Sequence, residues 1–281
     1  MGAFADAVDG LFVRPAASEP AREILRSLAP RPTNALADST AVVIGGSGGI
    51  GRAIVEVLSE GGAAVVSADL RLPTSPDLAG VTTTTVDITD EASVRELRDM
   101  AVKCLGRVDL LVNTAGVIEV KPFLETSSAE WARVINVNLV AAFSSSRLFA
   151  QTMVDQDLRL GRRGQIVNVG SLAAFFGRPL VSSYGASKAG LNNLSQSIAS
   201  ALGPKDISAT VVFPGNVREG MWGHLGKDFA DIEGRQLEDV ESERRYQPSR
   251  EIGEIVADIH ALPGLALSGC GVTFLRGVEE L

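Results

Sequence analysis

The stretch SSYGASKAG places Tyr184 four residues before Lys188 in a chain with only two tyrosines. On a helix, residues four apart share a face, so the two side chains can point into one cleft. A free tyrosine, with a pKa of about 10, is a poor base at neutral pH. A fixed ammonium nearby favours the phenolate and brings proton exchange within reach of working pH.

A second stretch, VVIGGSGGIGRAI, reads as a strand, a glycine-rich turn and a helix start. Such a loop lets the backbone approach a pyrophosphate, which the first amides and the dipole of the helix then bind. Two spacings fit, Gly46-x-Gly48-x-x-Gly51 and Gly45-x-x-x-Gly49-x-Gly51, and spacing alone does not choose between them. The following strand ends in Asp69, eighteen residues after Gly51, where a carboxylate accepts hydrogen bonds from an adenosine ribose. A 2′-phosphate there would meet like charge at a cost of about 2–4 kcal/mol at close range, which favours NAD over NADP. Arg71 is the nearby cation able to neutralise that phosphate.

The elements that must position these groups follow a rhythm. Unbroken apolar runs (AVVIGG, AAVVSAD, VDLLVN, GQIVNVGS, ISATVVFPG) read as strands buried on both faces. Periodic stretches between them, GIGRAIVEVLSEGG, DEASVRELRDMAVKCLG, SAEWARVINVNLVAAFSSSRLFAQ and SYGASKAGLNNLSQSIASALG, read as helices. Thr89-Asp90 and Ser127-Ser128 are start signals; Gly61-Gly62 and Gly106 are stops. VTTTTVD is a further strand and GCGVTFLRG the last. The alternation predicts an α/β fold, a Rossmann-type doubly wound parallel sheet in one domain of residues 39–281. Residues 1–38 stand apart as an N-terminal extension, with a short amphipathic helix in SEPAREILRSLAP.

A net charge of −8 with no Lys/Arg-rich run argues against nucleic acid or an anionic membrane as partner. Two cysteines fit a reducing compartment, and two histidines suggest no metal site. The acidic N-terminus lacks the signature of a signal peptide, and no apolar stretch is long enough to span a bilayer. The expectation is a soluble, cytoplasmic protein.

From about residue 40 onward these segments resemble the short-chain dehydrogenase/reductase family. Its loop is written Thr-Gly-x3-Gly-x-Gly, which selects Gly45, Gly49 and Gly51, with Ile44 in place of the threonine. VDITD matches the segment whose aspartate contacts adenine, so Asp87 inherits that role. NTAG, Asn113 to Gly116, looks like Asn-Asn-Ala-Gly with Thr114 in second place. VNL aligns Asn138 with the asparagine of the catalytic tetrad, and Ser171 lies thirteen residues before Tyr184, as the family's serine does. FPG, Phe213 to Gly215, matches the nicotinamide-side turn.

The resemblance implies cofactor contacts at Gly45, Ser47, Gly49, Ile50, Gly51, Asp69, Asp87, Ile88, Asn113, Ala115, Gly116, Tyr184, Lys188, Pro214, Gly215, Val217 and Glu219. It also implies that Ser171 holds the substrate oxygen, Tyr184 exchanges its proton, Lys188 holds the nicotinamide ribose and Asn138 orients a water. Glu219 stands where the family usually has threonine, and Arg276-Gly277-Val278 replaces its Asp-Gly-Gly. A substrate lid is expected at about 216–247. Phe175, Phe176 and Trp222 are candidates to line the pocket, with His224 beside them and Glu119 at its mouth. The expected activity is NAD-preferring interconversion of a small-molecule secondary alcohol and a ketone by a homotetramer. A catalytically silent dinucleotide-binding sensor, or an isomerase or lyase using transient oxidation, would use the same motifs.

Overall fold

The computed structural model of the chain describes residues 36–73, 78–219, 221–242 and 246–273, without the side chains of residues 222–224 and 273. The predicted N-terminal helix, most of the 1–38 extension, the side chains of Trp222 and His224, and Arg276 to Val278 lie outside the described residues.

Seven parallel strands form the sheet: β1 (Thr40–Ile44), β2 (Ala64–Asp69), β3 (Val81–Thr85), β4 (Leu110–Asn113), β5 (Gly164–Val169), β6 (Ile207–Phe213) and β9 (Gly271–Thr273). A separate pair, β7 (Asn216–Val217) and β8 (Tyr246–Gln247), lies outside it. The sheet order is β3-β2-β1-β4-β5-β6-β9, so the winding reverses between β1 and β4. In sheets of this kind a ligand crevice opens at that reversal, beyond the carboxyl ends of the strands.

The unbroken apolar runs have the meaning expected of them. Every residue of β1 is buried, with Ala41 and Val43 in one core cluster and Val42 and Ile44 in the other. On the first face lie α1 (Gly49–Glu60) and α8 (Ser249–Ala261); on the second lie α2 (Glu91–Leu105) and α4 (Ala141–Met153). The chain is a single Rossmann-type domain. Helix α8 is absent from the sequence analysis, although Ile252, Ile255, Val256 and Ile259 give it a full apolar stripe. It meets α1 backbone to backbone: a Cβ on Gly253 would lie 2.6 Å from the Ala53 carbonyl oxygen.

The local signals work as read. Asp90 caps α2 by accepting from the Ala92 amide at 2.9 Å, and Gly106 ends it in the left-handed region. Ser127 and Glu130 form a reciprocal capping box at the start of α3 (Ser128–Ile135). The stretch from Ser128 to Gln151 reads as one helix, but a π-helical turn at Asn136–Val140 divides it into α3 and α4, the latter running to Met153. Such insertions frequently mark functional positions. The helix of 21 residues that follows, α5 (Ser182–Leu202), carries Tyr184 and Lys188. The expected cover holds two helices, α6 (Trp222–Glu233) and α7 (Leu237–Ser242).

Candidate active site

A cavity of about 780 Å³ opens at the reversal point. One end is the glycine loop between β1 and α1. Gly45 takes φ +89°, and a Cβ there would lie 2.5 Å from the Ala115 amide nitrogen. A Cβ on Gly51 would collide with the Gly45 carbonyl oxygen, and one on Gly46 with the Ser67 hydroxyl. At Gly48 the nearest atom would be 3.6 Å away, so that position tolerates a side chain. The packing therefore leaves no room for a side chain at 45, 46 or 51, and Gly45 belongs to the second spacing alone.

Helix α1 begins after Gly48 with no side-chain cap, and Gly49, Ile50 and Gly51 line the cavity. First-turn amides have no acceptor within their own helix, so this end suits an anion. Asp69, at the end of β2, lines the same cavity. Its carboxylate accepts from the Ser47 amide at 3.0 Å and the Leu70 amide at 2.7 Å. A carboxylate has about four lone-pair sites, so Asp69 keeps acceptor capacity for ribose hydroxyls. The Ser47 hydroxyl donates to the Arg71 carbonyl oxygen at 2.9 Å. These features fit a dinucleotide.

Asp87 and Ile88 line the cavity further along. The Asp87 carboxyl is held below its usual range by hydrogen bonds from the Thr89 hydroxyl, at 2.7 Å, and the Thr89 amide, at 2.9 Å. Ala115 and Gly116 close the opposite wall. Asn113 is turned elsewhere. Its amide donates to Asn168 at 2.8 Å and Ser146 at 3.1 Å, and its oxygen accepts from Ser145 at 2.8 Å. Asn168 in turn donates to Ser195 on α5 at 2.9 Å. This buried network ties β4 and β5 to α4 and α5.

None of the four chemistry-bearing residues lines the cavity itself; Asn138 and Lys188 adjoin it through Gly116, and Tyr184 lies one turn from Lys188 on α5. A Cβ on Gly116 would lie 3.1 Å from Asn138 Oδ1 and 3.7 Å from Lys188 Nζ. Asn138, on the π-helical turn, is held by the Val117 backbone: its Oδ1 accepts from the amide at 2.8 Å and its Nδ2 donates to the carbonyl at 2.9 Å. Nδ2 also lies 3.0 Å from Ser187 Oγ, which donates to the Tyr184 carbonyl oxygen at 2.7 Å. Lys188 is buried, which pushes its pKa down to about 8. Its Nζ donates to the Val169 carbonyl oxygen at 2.8 Å and lies 5.7 Å from the centre of the Tyr184 ring. Ser171 follows β5, buried, and its Oγ accepts from the Ala173 amide at 3.2 Å.

The turn after β6 is tied to its surroundings. The Pro214 carbonyl accepts from the Leu172 amide at 3.2 Å, and the Gly215 amide donates to Gln247 at 3.1 Å. Val217 is buried in the short pair with β8. The Glu219 carboxylate accepts from the Ser249 amide at 3.3 Å, at the start of α8, where no side chain of the cap residue Pro248 serves. Phe175 and Phe176 are about two-fifths exposed, and Phe175 packs on Phe213 with ring centres 4.7 Å apart. Glu119 is paired with Arg133 at 2.6 Å.

Arg133, Asn136 and Val137 also line the cavity, and the sequence analysis did not single them out. Their spacing, i, i+3 and i+4, shares one helix face and was the available signal.

The sequence matches the short chain dehydrogenase family over residues 39–229. It is 32% identical over 229 residues to an L-2,3-butanediol dehydrogenase of Corynebacterium glutamicum, covering 76% of this chain and 84% of that one. It is 35% identical over 195 residues to an uncharacterized oxidoreductase of Thermotoga maritima, covering 66% and 74%. Among solved structures, the ligand-free aldohexose dehydrogenase of Thermoplasma acidophilum superposes with a TM-score of 0.72 at 25% identity, over 85% of this chain and 93% of that one. An NAD+-bound xylitol dehydrogenase shares the fold, with a TM-score of 0.76 at 24% identity over 86% and 99%. The chain belongs to the short-chain dehydrogenase/reductase family and is an oxidoreductase of that family.

Proposed function

From that membership, we propose an NAD(H)-preferring oxidoreductase that interconverts a secondary alcohol and a ketone, with Tyr184, Lys188, Ser171 and Asn138 as its working residues. The observation that carries the reading is the placement of buried Asn138 and Lys188 against Gly116, in the wall of a cavity that also holds a glycine cradle, with buried Tyr184 beside Lys188. Nicotinamide, when bound, supplies the hydride chemistry. The chain supplies position and proton transfer. The Ser171 hydroxyl holds the substrate oxygen, and the Tyr184 hydroxyl gives or takes its proton. The Lys188 ammonium, under the Tyr184 ring, offsets the charge that develops on the phenolic oxygen. Asn138 keeps Val117 and Ser187 in register around this centre.

The glycine loop, Asp69, Asp87, Ile88, Ala115 and Gly116 are proposed to hold the dinucleotide, with Asp69 accepting from the adenosine ribose. In this reading Glu219 serves the nicotinamide side through the backbone it anchors to α8. The relatives named above are, by their names, dehydrogenases of a diol, a pentitol and an aldohexose, which supports an alcohol or ketone as substrate. The reading extends to a cytoplasmic homotetramer, supported by the unpaired Cys104 and Cys270 and by exposed apolar Trp131, Val140 and Phe143. Among the described residues no helix is long and apolar enough to cross a membrane.

Calorimetric titration with NAD+ and, separately, NADP+ tests the reading. NAD+ binding about 30-fold or more tighter than NADP+ is expected from the like charge Asp69 presents to a 2′-phosphate. Preference for NADP+ would show Arg71 overriding Asp69, and failure of both to bind would overturn the dehydrogenase assignment.

A further inference from the structure

The surroundings of Tyr184 carry information about the substrate, on the premise of the activity just proposed. Tyr184 is 5% exposed and belongs to an apolar cluster with Val134 of α3, Ala173 and residues of three further segments. Val117, Ile118 and Val120 come from the loop after β4, and Leu180 and Val181 from the loop before α5. Met221, Leu225, Phe229 and Ala230 come from the cover. Met221 and Val117 also line the inner end of the cavity, so the cavity runs directly into this cluster.

The charged side chains on the same loop are neutralised among themselves. Glu119 pairs with Arg133 at 2.6 Å and Lys121 with Glu130 at 2.7 Å, both partners lying on α3. The Lys121 amide donates to the Leu180 carbonyl at 2.8 Å, which fixes the two loops against each other. Among the described side chains, Asn138 is committed too, to Val117 and to Ser187, which donates to the Tyr184 carbonyl. The hydroxyls of Ser171 and Tyr184 match one substrate oxygen. Each further hydroxyl brought into such a site without a partner loses its hydrogen bonds to water. A hydrocarbon flank instead packs on apolar side chains such as Leu225 and Phe229.

We infer that this site takes a monofunctional secondary alcohol or ketone with hydrocarbon flanks, and discriminates against polyols and sugars. The test measures kcat/KM with NAD+ for 2-butanol, 2-pentanol, 2-hexanol and 2-heptanol, and for xylitol and glycerol, alongside a calorimetric NAD+ titration of the same preparation. The expected result is a rise of about fourfold per added methylene, with xylitol about 100-fold or more below 2-hexanol. A flat series, or xylitol turned over as well as 2-hexanol, overturns the substrate inference and leaves the dehydrogenase reading standing. NAD+ binding without turnover of any member also overturns it and favours a silent binding protein. No binding and no turnover overturns both.

Discussion

The two edges of the sheet each bury a cluster of polar and charged side chains, and they use it oppositely. At the carboxyl edge Asn138, Ser171, Tyr184 and Lys188 are buried, and Asn138 and Lys188 adjoin Gly116 in the wall of a cavity of about 780 Å³. At the amino edge Asp109, Arg159, Arg162 and His260 close around a space of about 10 Å³. Asp109 accepts from the Thr40 amide and hydroxyl, both at 3.0 Å, and pairs with Arg107 and Arg159 at 2.7 and 2.9 Å. Burial works to raise its pKa, but the charges of Arg107 and Arg159 and the Thr40 hydrogen bonds outweigh that and hold it low. Arg162 donates to the carbonyl oxygens of His260 and Leu262 at the end of α8, and burial lowers its pKa to about 10. The amino-edge cluster spends its groups on the chain itself. The carboxyl-edge cluster adjoins, through Gly116, a space large enough for a ligand. Burial of polar groups marks a site only where a cavity adjoins it.

That contrast breaks or sharpens under three changes. Tyr184→Phe removes the proposed proton donor and should lower kcat about 1000-fold while the fold survives by circular dichroism. Retained turnover would move the acid–base chemistry to another group. Arg162→Met keeps much of the volume but strips the end of α8 of its donors, and should cost about 3 kcal/mol in urea unfolding. Turnover per folded molecule should not change. A loss below about 1 kcal/mol would mean that desolvating the guanidinium cancels its hydrogen bonds.

The smallest effect is in the pH dependence of stability. His260, buried beside the Arg162 charge, has its pKa lowered to about 3 from an ordinary 6.5. Between these values the unfolded chain holds the proton and the folded one does not, so stability rises with pH across that window. Urea midpoints at pH 7, 6 and 5 should show a fall on the order of 1 kcal/mol per unit below 6.5, which His260→Gln flattens. Lys188, lowered to about 8 from 10.5, gives the same sign in the window from 8 to 10.5. A flat profile below pH 6.5 would mean that the amino edge opens to water.

How far the sequence could show this differs between the edges. The glycine turn, Asp69 and the Tyr184–Lys188 pair were legible because each depends on neighbours within one strand–turn–helix segment or one helix turn. The pairing of Arg162 with His260 spans 98 residues and that of Arg159 with Asp109 spans 50, and no local pattern announces either. Asn113 shows the limit of a motif. Its position beside Ala115 and Gly116 was legible, but its side chain serves Asn168, Ser145 and Ser146, which only the sheet register brings together. Helix α8 was missed although its stripe was plain, because the preceding residues carry no cap that marks a start: Pro248 provides none, and Glu219 reaches in from thirty residues away.

The π-helical turn at Asn136–Val140 sets a rule for how this chain can vary. Its wider winding absorbs one extra residue within the turn, so α3 and α4 keep nearly the faces they would have in an uninterrupted helix one residue shorter. Side chains along it other than Asn138 can be exchanged while the backbone keeps that residue. A deletion of one residue would let α3 and α4 anneal with Ser145 and Ser146 still turned to Asn113, while Asn138 would leave the Val117 backbone. A change of length in this segment therefore costs the Asn138 contact before it costs the packing of α4.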